Sequence, residues 1–141
     1  MLYHEPEPEE VGPLDGAGIP IHKLILMDTA EAVHRMRPEV EALLGTTATV
    51  TQAMVDMLEV LPRGANKGDG VSKLLDLLGI DKQNFMAMGD AENDLEMLRV
   101  AGTAVAMGNA SPAVAAAAML LAPTNAEDGA AVAIERLVLS R

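Results

Sequence analysis

Past Gly64 the sequence settles into an alternation of helical apolar spacing and short apolar runs, and no other feature constrains the fold as tightly. From Lys67 to Leu78 the residues Val71, Leu74, Leu75 and Leu78 share one helical face, and Gly79 stands where a helix-ending glycine belongs. Phe85 to Met88 is wholly apolar, as suits a strand buried on both faces of a parallel sheet, and it runs into Gly89-Asp90. A second helix is expected through Leu95, Met97 and Leu98 to Gly102, then a strand from Thr103 to Met107. Ser111-Pro112 supplies an N-cap and first helical residue for an Ala-rich helix, and Met119 to Ala122 forms a last short strand. Asn125, with Asp128 three residues on, is placed to cap a final helix through Val132, Ile134, Leu137 and Val138. Strand and helix alternating in this way imply βαβ crossovers and a doubly wound α/β layer.

The residues before Gly64 follow another pattern. Glu5 to Gly18 is rich in Pro, Glu and Gly without apolar periodicity and reads as a tail or linker. His22 to Met27 suits a strand, and Thr29 to Leu44 carries helical spacing through Ala32, Val33, Met36, Val40 and Leu43, ended by Gly45. Thr47 to Ala53 and Met57 to Leu61 read as two further strands, completing a small β-α-β-β unit. With aromatics at 1% of residues, the core must be built from aliphatic side chains and Met.

Charge and composition exclude several function classes. A formal net charge of -11 without a Lys/Arg cluster would repel a phosphate backbone, so no nucleic-acid partner is expected. The absence of cysteine excludes thiolate metal sites and cysteine nucleophiles. No apolar stretch approaches the ~20 residues needed to span a bilayer, and Met1 to Glu10 is acidic rather than a basic targeting segment. The expectation is a soluble protein of the cytoplasm or of an organellar stroma or matrix.

In open parallel sheets ligands sit beyond the carboxyl ends of the strands, which is where Asp90 falls. Gly89 is expected to let the chain turn there, and Asp90 and Asp94, four apart, can both face the crevice as the next helix begins. Hard cations want carboxylate oxygens, and Mg²⁺ needs only one or two of them besides water and a phosphate oxygen. Asp90-x-Glu92-x-Asp94 is no calcium loop, because Leu95 stands where that loop requires Gly and Ala101 where it closes with Glu. Gly64-Ala65-Asn66-Lys67-Gly68 is no Walker loop, and His4, His22 and His34 lack metal-like spacing. Asp28, ending an apolar run, reads as a strand-to-helix cap.

Gly89-Asp90-Ala91-Glu92-Asn93-Asp94-Leu95-Glu96-Met97 resembles the GDxxND motif of haloacid dehalogenase-like (HAD) phosphatases, specifically the Cof-type subfamily. Lys67-Gly68 is similar to the subfamily's lysine motif, Val105 to Ala110 to its next segment, and Thr124 to Gly129 to its last. By that resemblance Asp90 would ligate Mg²⁺, while Asp94 would hold a metal-bound water or orient the loop. Asn93 would position phosphate, and Lys67 would bind the phosphoryl oxygens and the nucleophilic carboxylate. The implied fold is half of a Rossmann-like HAD core over residues 63–141, preceded by a partial α+β cap over 19–62 and an acidic tail over 1–18. The implied activity is Mg²⁺-dependent hydrolysis of a small phosphate ester, a sugar phosphate or nucleotide-related metabolite.

The family's nucleophile is the first Asp of a DxDGT segment, and no Asp here is followed two residues later by another. The resemblance thus implies that the chain begins inside the cap, with about half of a family enzyme upstream. Such a chain is expected to be inactive alone and to self-associate or to pair with the missing amino-terminal half. The alternative is a non-catalytic binding or regulatory fragment that pairs with a full-length relative.

Overall fold

The computed structural model describes Glu10, Gly12, Pro13, Gly18 and residues 20–140. Most of the tail reading, with His4, therefore lies outside the described residues.

The first sheet is antiparallel, with β1 (Leu24–Met27) and β2 (Ala48–Thr51) flanking β3 (Met57–Pro62). Registers of Ile25 with Glu59 and of Thr51 with Glu59 bring those three residues side by side on one face. The helix α1 (Ala30–Leu44) packs on β3 and β2, and its Val33 is fully buried, as is Leu58 of β3. Leu58 and Glu59, adjacent in an extended strand, point to opposite faces, so Glu59 lies on the face away from α1. β1 is shorter than the apolar run that announced it, because His22 and Lys23 fall before the pairing with β3 begins. The N-cap of α1 is Thr29, whose hydroxyl accepts from the Ala32 amide at 3.3 Å. Asp28 instead accepts from the Thr29 amide at 2.6 Å, one residue short of the capping role expected of it.

The second sheet is parallel, in the order β4 (Met86–Gly89), β5 (Thr103–Ala106), β6 (Leu120–Leu121). It alternates with α2 (Lys67–Leu78), α3 (Leu95–Val100), α4 (Pro112–Ala117) and α5 (Gly129–Ile134). Ala87, Ala104 and Ala106 join Leu98, Ala101 and Val114 in one core cluster, while Val105 joins Ala122 and Ala133 in another. β5, buried on both faces, is the strand that fits the parallel-sheet pattern fully. β4 pairs with no described strand except β5, and its Met86 and Met88 are only partly buried.

Local chemistry sets the helix ends. Asn66 caps α2 by accepting from the Asp69 amide at 2.8 Å, and Gly79 takes the left-handed conformation at φ 66°. Ser111 caps α4 as its sequence suggests. The last segment departs from a single Asn125-capped helix. Thr124 and Glu127 form a reciprocal capping box around a 3₁₀ turn at Asn125–Glu127, Asp128 takes φ 55°, and α5 then gives way to a π turn at Glu135–Leu139. The break has a steric cause: a Cβ on Gly129 would lie 2.0 Å from the Pro123 carbonyl oxygen, so the chain is pressed against itself there.

Candidate functional site

The loop leaving β4 is organised around Asp94. A short 3₁₀ turn at Glu92–Asp94 precedes α3, so Asp94 does not sit one helical turn beyond Asp90 facing the same way. Its side chain folds back over Gly89, where a Cβ would lie 2.5 Å from that of Asp94. Gly89 is required for this close approach and not for a left-handed turn, since its φ is not positive. Buried at 5% exposure, Asp94 accepts from the Asp90 amide at 3.0 Å and the Ala91 amide at 3.2 Å through Oδ2, and from Lys67 Nζ at 2.5 Å through Oδ1. Burial pushes the carboxyl upward, but the Lys67 hydrogen bond and the two amides outweigh it and hold Asp94 below the usual aspartate range. Both oxygens are engaged within the chain, the arrangement of a residue that orients a loop.

Lys67 is the first residue of α2, and its ammonium also lies 3.4 Å from Asn93 Oδ1. The lysine, Asn93 and Asp94 thus converge, although they come from two segments 26 and 27 residues apart. Gly68, next to Lys67, has a packing role. A Cβ there would lie 2.5 Å from the Glu96 carbonyl oxygen, so this glycine lets α2 and α3 pack closely.

Asp90 stands apart from that cluster, exposed at the carboxyl end of β4. Asn109 Nδ2 donates to its Oδ2 at 2.8 Å, and Asn109 Oδ1 accepts from the Asn125 amide at 3.0 Å. Backbone bonds from Met107 to Gly89 and from Ser111 to the Asp90 carbonyl tie the loop after β5 to the loop after β4. Asn109 was not singled out in the sequence, although it follows a strand's carboxyl end as Asp90 does. That position was the available signal.

A cleft of about 680 Å³ separates the two sheets' territories, with Lys23, Thr51 and Glu59 on one wall and Lys67, Asn93 and Arg99 among the residues facing them. Glu59, only 8% exposed, accepts from Lys23 at 3.0 Å, so the sheet wall carries a paired charge beside its apolar Val50 and Leu61. Asp90 is not among the residues lining the cleft. One further pair crosses between the two parts. Arg37 of α1 donates from both terminal nitrogens to the two oxygens of Glu92 at 2.7 Å each, and from Nε to Glu41 at 2.7 Å. The Glu92 hydrogen bond is the main reason that the Arg37 pKa rises further above its ordinary value, against the opposing effect of burial. Neither Arg37 nor the role of Glu92 was visible as a pattern, because their pairing depends on how two distant segments meet.

As a cation site these residues supply one corner. Asp90 offers an exposed hard oxygen, but no group of three or more acidic or histidine side chains that could hold a metal occurs among the described residues. That fits Mg²⁺, which keeps much of its water and a phosphate oxygen, provided that further ligands come from another segment. Asp28 makes no side-chain bond to the Lys67 cluster, and His22 and His34 are exposed and belong to no cluster.

A family model for haloacid dehalogenase-like hydrolases matches residues 2–134. The chloroplastic endoribonuclease YBEY of Arabidopsis thaliana is 42% identical over 138 residues, which cover 96% of this chain and 24% of that protein. The HMP-PP phosphatase of Enterobacter sp. (strain 638) is 42% identical over 97 residues, 67% of this chain and 36% of that enzyme. The solved structure of the HAD subclass IIB sugar phosphatase BT4131 superposes with a TM-score of 0.69 at 28% identity, covering 82% of this chain and 42% of that one. The chain therefore spans well under two thirds of these relatives.

Proposed function

Because the chain belongs to the haloacid dehalogenase-like hydrolase family, we propose that it forms the phosphate- and metal-handling half of a phosphatase for small phosphate esters, a sugar phosphate or a nucleotide-related metabolite. On this reading residues 19–62 are part of the cap and residues 63–141 half of the catalytic core. The observation that carries it is the convergence of Lys67, Asn93 and Asp94 beside the cleft, with Asp90 at the carboxyl end of β4 in the same loop. The names of two relatives, an HMP-PP phosphatase and a sugar phosphatase, support the substrate class.

Each residue has a task that its surroundings suit. Asp94 pins Lys67, so that the ammonium meets phosphoryl oxygens without first being ordered. Asn93 can turn its amide toward the same anion from the edge of the cleft. Asp90, steadied by Asn109, would hold Mg²⁺, which when bound would neutralise charge on the transferring phosphoryl group. The Asp nucleophile and its acid/base partner are contributed by a DxDGT-type segment that these residues do not include. Thr51 and the Lys23–Glu59 pair offer donors and acceptors to a hydroxylated leaving group across the cleft.

The test is phosphate release from a panel of sugar and nucleoside phosphates. The chain would be assayed alone and mixed with the amino-terminal half of an HMP-PP phosphatase, which brings a nucleophile-bearing segment. The reading expects Mg²⁺-dependent turnover in the mixture, lost on Lys67→Ala, and none from the chain alone. Turnover by the lone chain that disappears on Asp90→Ala would contradict this division of labour and direct attention to a substitute nucleophile such as Asp28.

A second reading is favoured by the match to 24% of a much longer protein named for another activity. There the fold would serve as a non-catalytic module, pairing with or regulating a larger partner. With a net charge of -11 such a module would not itself hold RNA. A mixture that stays inactive on every ester while the chain binds a protein partner would favour it.

A further inference from the structure

We propose that Arg37 is a positioning residue of the cleft, acting through Glu92 to hold the β1–β3 sheet and α1 at a fixed separation over the Asp90–Asp94 loop. Glu92 sits in the middle of that loop and also lines the cleft, so a grip on its carboxylate fixes the loop and the cleft wall together. The grip is two-pronged, with both Glu92 oxygens engaged at 2.7 Å, and Glu41 holds the guanidinium from its third side at 2.7 Å. Parallel bonds of this kind fix orientation as well as distance, which a single ammonium cannot do. The pair is half-buried, with side-chain exposures of 26% and 35%, so it is screened less than a pair in open water.

Little else can do this work. Among the described residues, the two Arg37–Glu92 bonds are the only side-chain hydrogen bonds joining residues 20–62 to residues 63–140. No element of the first part packs extensively against an element of the second. The covalent connection, Arg63 to Asn66, is a short turn containing Gly64 at φ 77°, held by hydrogen bonds from the Ala65 amide to the Pro62 carbonyl at 3.0 Å and from the Asn66 side chain to the Gly64 carbonyl at 3.3 Å, all within four residues of the joint. Two bodies joined by a short linker and slight packing adopt a range of separations unless a specific contact selects one.

The inference concerns the cleft of the reading above, but its test does not use hydrolysis, so either can fail without the other. The chain has no cysteine, so Leu43→Cys on α1 and Leu77→Cys on α2, at positions 86% and 82% exposed, give two unique labelling sites. Spin-labelled chain diluted into unlabelled chain is then measured by pulsed dipolar spectroscopy. A second pair, Leu77→Cys with Met119→Cys, lies wholly within the second part and reports whether that part stays folded.

The expected result is a narrow cross-cleft distance distribution in the parent. It should shift to longer distances and broaden in Arg37→Ala and Glu92→Ala, while the Leu77–Met119 distance is unchanged. Arg37→Lys should recover part of the shift, and the exchanged pair Arg37→Glu with Glu92→Arg most of it. A cross-cleft distribution that is unchanged in Arg37→Ala overturns the proposal. So does failure of the exchanged pair to recover any of the shift in a folded chain. Should Arg37→Ala fail to fold, Arg37→Lys and Glu92→Gln, which keep side-chain volume, carry the same comparison with the same outcomes.

Discussion

Asp94 shows how much a single carboxylate can organise when it is buried. It closes the loop through two amides, pins Lys67, and leaves no room for a side chain at position 89. Replacing it by Asn keeps the shape but removes the charge that Lys67 answers. The expected loss on Asp94→Asn is roughly 1.5–3 kcal/mol, nearer the lower figure because Lys67 is half-exposed, read as a shift in the urea midpoint. The pH dependence follows from the sign of the shift. A carboxyl held below its ordinary 3.8 contributes in full above that value and loses the contribution as pH falls through the lower folded-state value. The gap in stability between parent and variant should therefore be flat above about pH 5 and shrink as the medium becomes more acidic than pH 4. A gap that grows on acidification would contradict the assignment. The sequence puts Asp90, Asn93, Asp94 and Lys67 forward together through motif and position, and the structure brings Lys67, Asn93 and Asp94 into contact while Asp90 stands apart. The sequence could not say which way each points, because the 3₁₀ turn that swings Asp94 inward depends on the space Gly89 leaves.

At the scale of elements, legibility followed the strength of the local chemistry. The bounds of α2 came straight from its apolar face and Gly79, and α4 from Ser111-Pro112, because caps of this kind are satisfied within a few residues. The last helix departs from the sequence reading at its start and its end, because the close approach of Gly129 to Pro123, which leaves no room for a side chain, is a contact between loop and helix that no periodicity records. The same kind of hidden contact separates two glycines of α2. At Gly68 a Cβ would meet the Glu96 carbonyl, whereas at Gly70 nothing lies within 4 Å. Gly68→Ala should force α2 from α3 and destabilise by about 1–3 kcal/mol. Gly70→Ala should raise stability by about 0.4–1 kcal/mol, through its effect on the unfolded chain and helix propensity. Thermal unfolding of the two variants beside the parent checks both signs, and equal effects would show that the α2–α3 contact is looser than described.

For the whole molecule, the decisive feature is a sheet with one flank unpaired. β4 carries the Asp90 loop at its end, yet its second edge meets no described strand, and such an edge is a template for another chain. The 141-residue chain should accordingly self-associate. Light scattering across a concentration series should show growing mass, whereas a monomer with a sharp, concentration-independent unfolding transition would refute this. The alternation of short apolar runs with helical spacing pointed to the sheet, and the missing nucleophile segment to an open flank, whereas the strand order is a long-range property that emerges only when the strands are paired. The central claim is that these residues form one side of a phosphatase site with Asp90 as its metal corner. A lone carboxylate leaves Mg²⁺ largely hydrated, so the affinity should be on the order of millimolar, about 4 kcal/mol at the standard state. Titration calorimetry of Mg²⁺ into the parent, Asp90→Asn and Asp94→Asn, with and without an added nucleophile-bearing half, measures this most directly. Weak binding lost on Asp90→Asn, reduced on Asp94→Asn and tightened by the added half is the predicted result. Tight binding by the lone chain, or binding indifferent to Asp90→Asn, would contradict it.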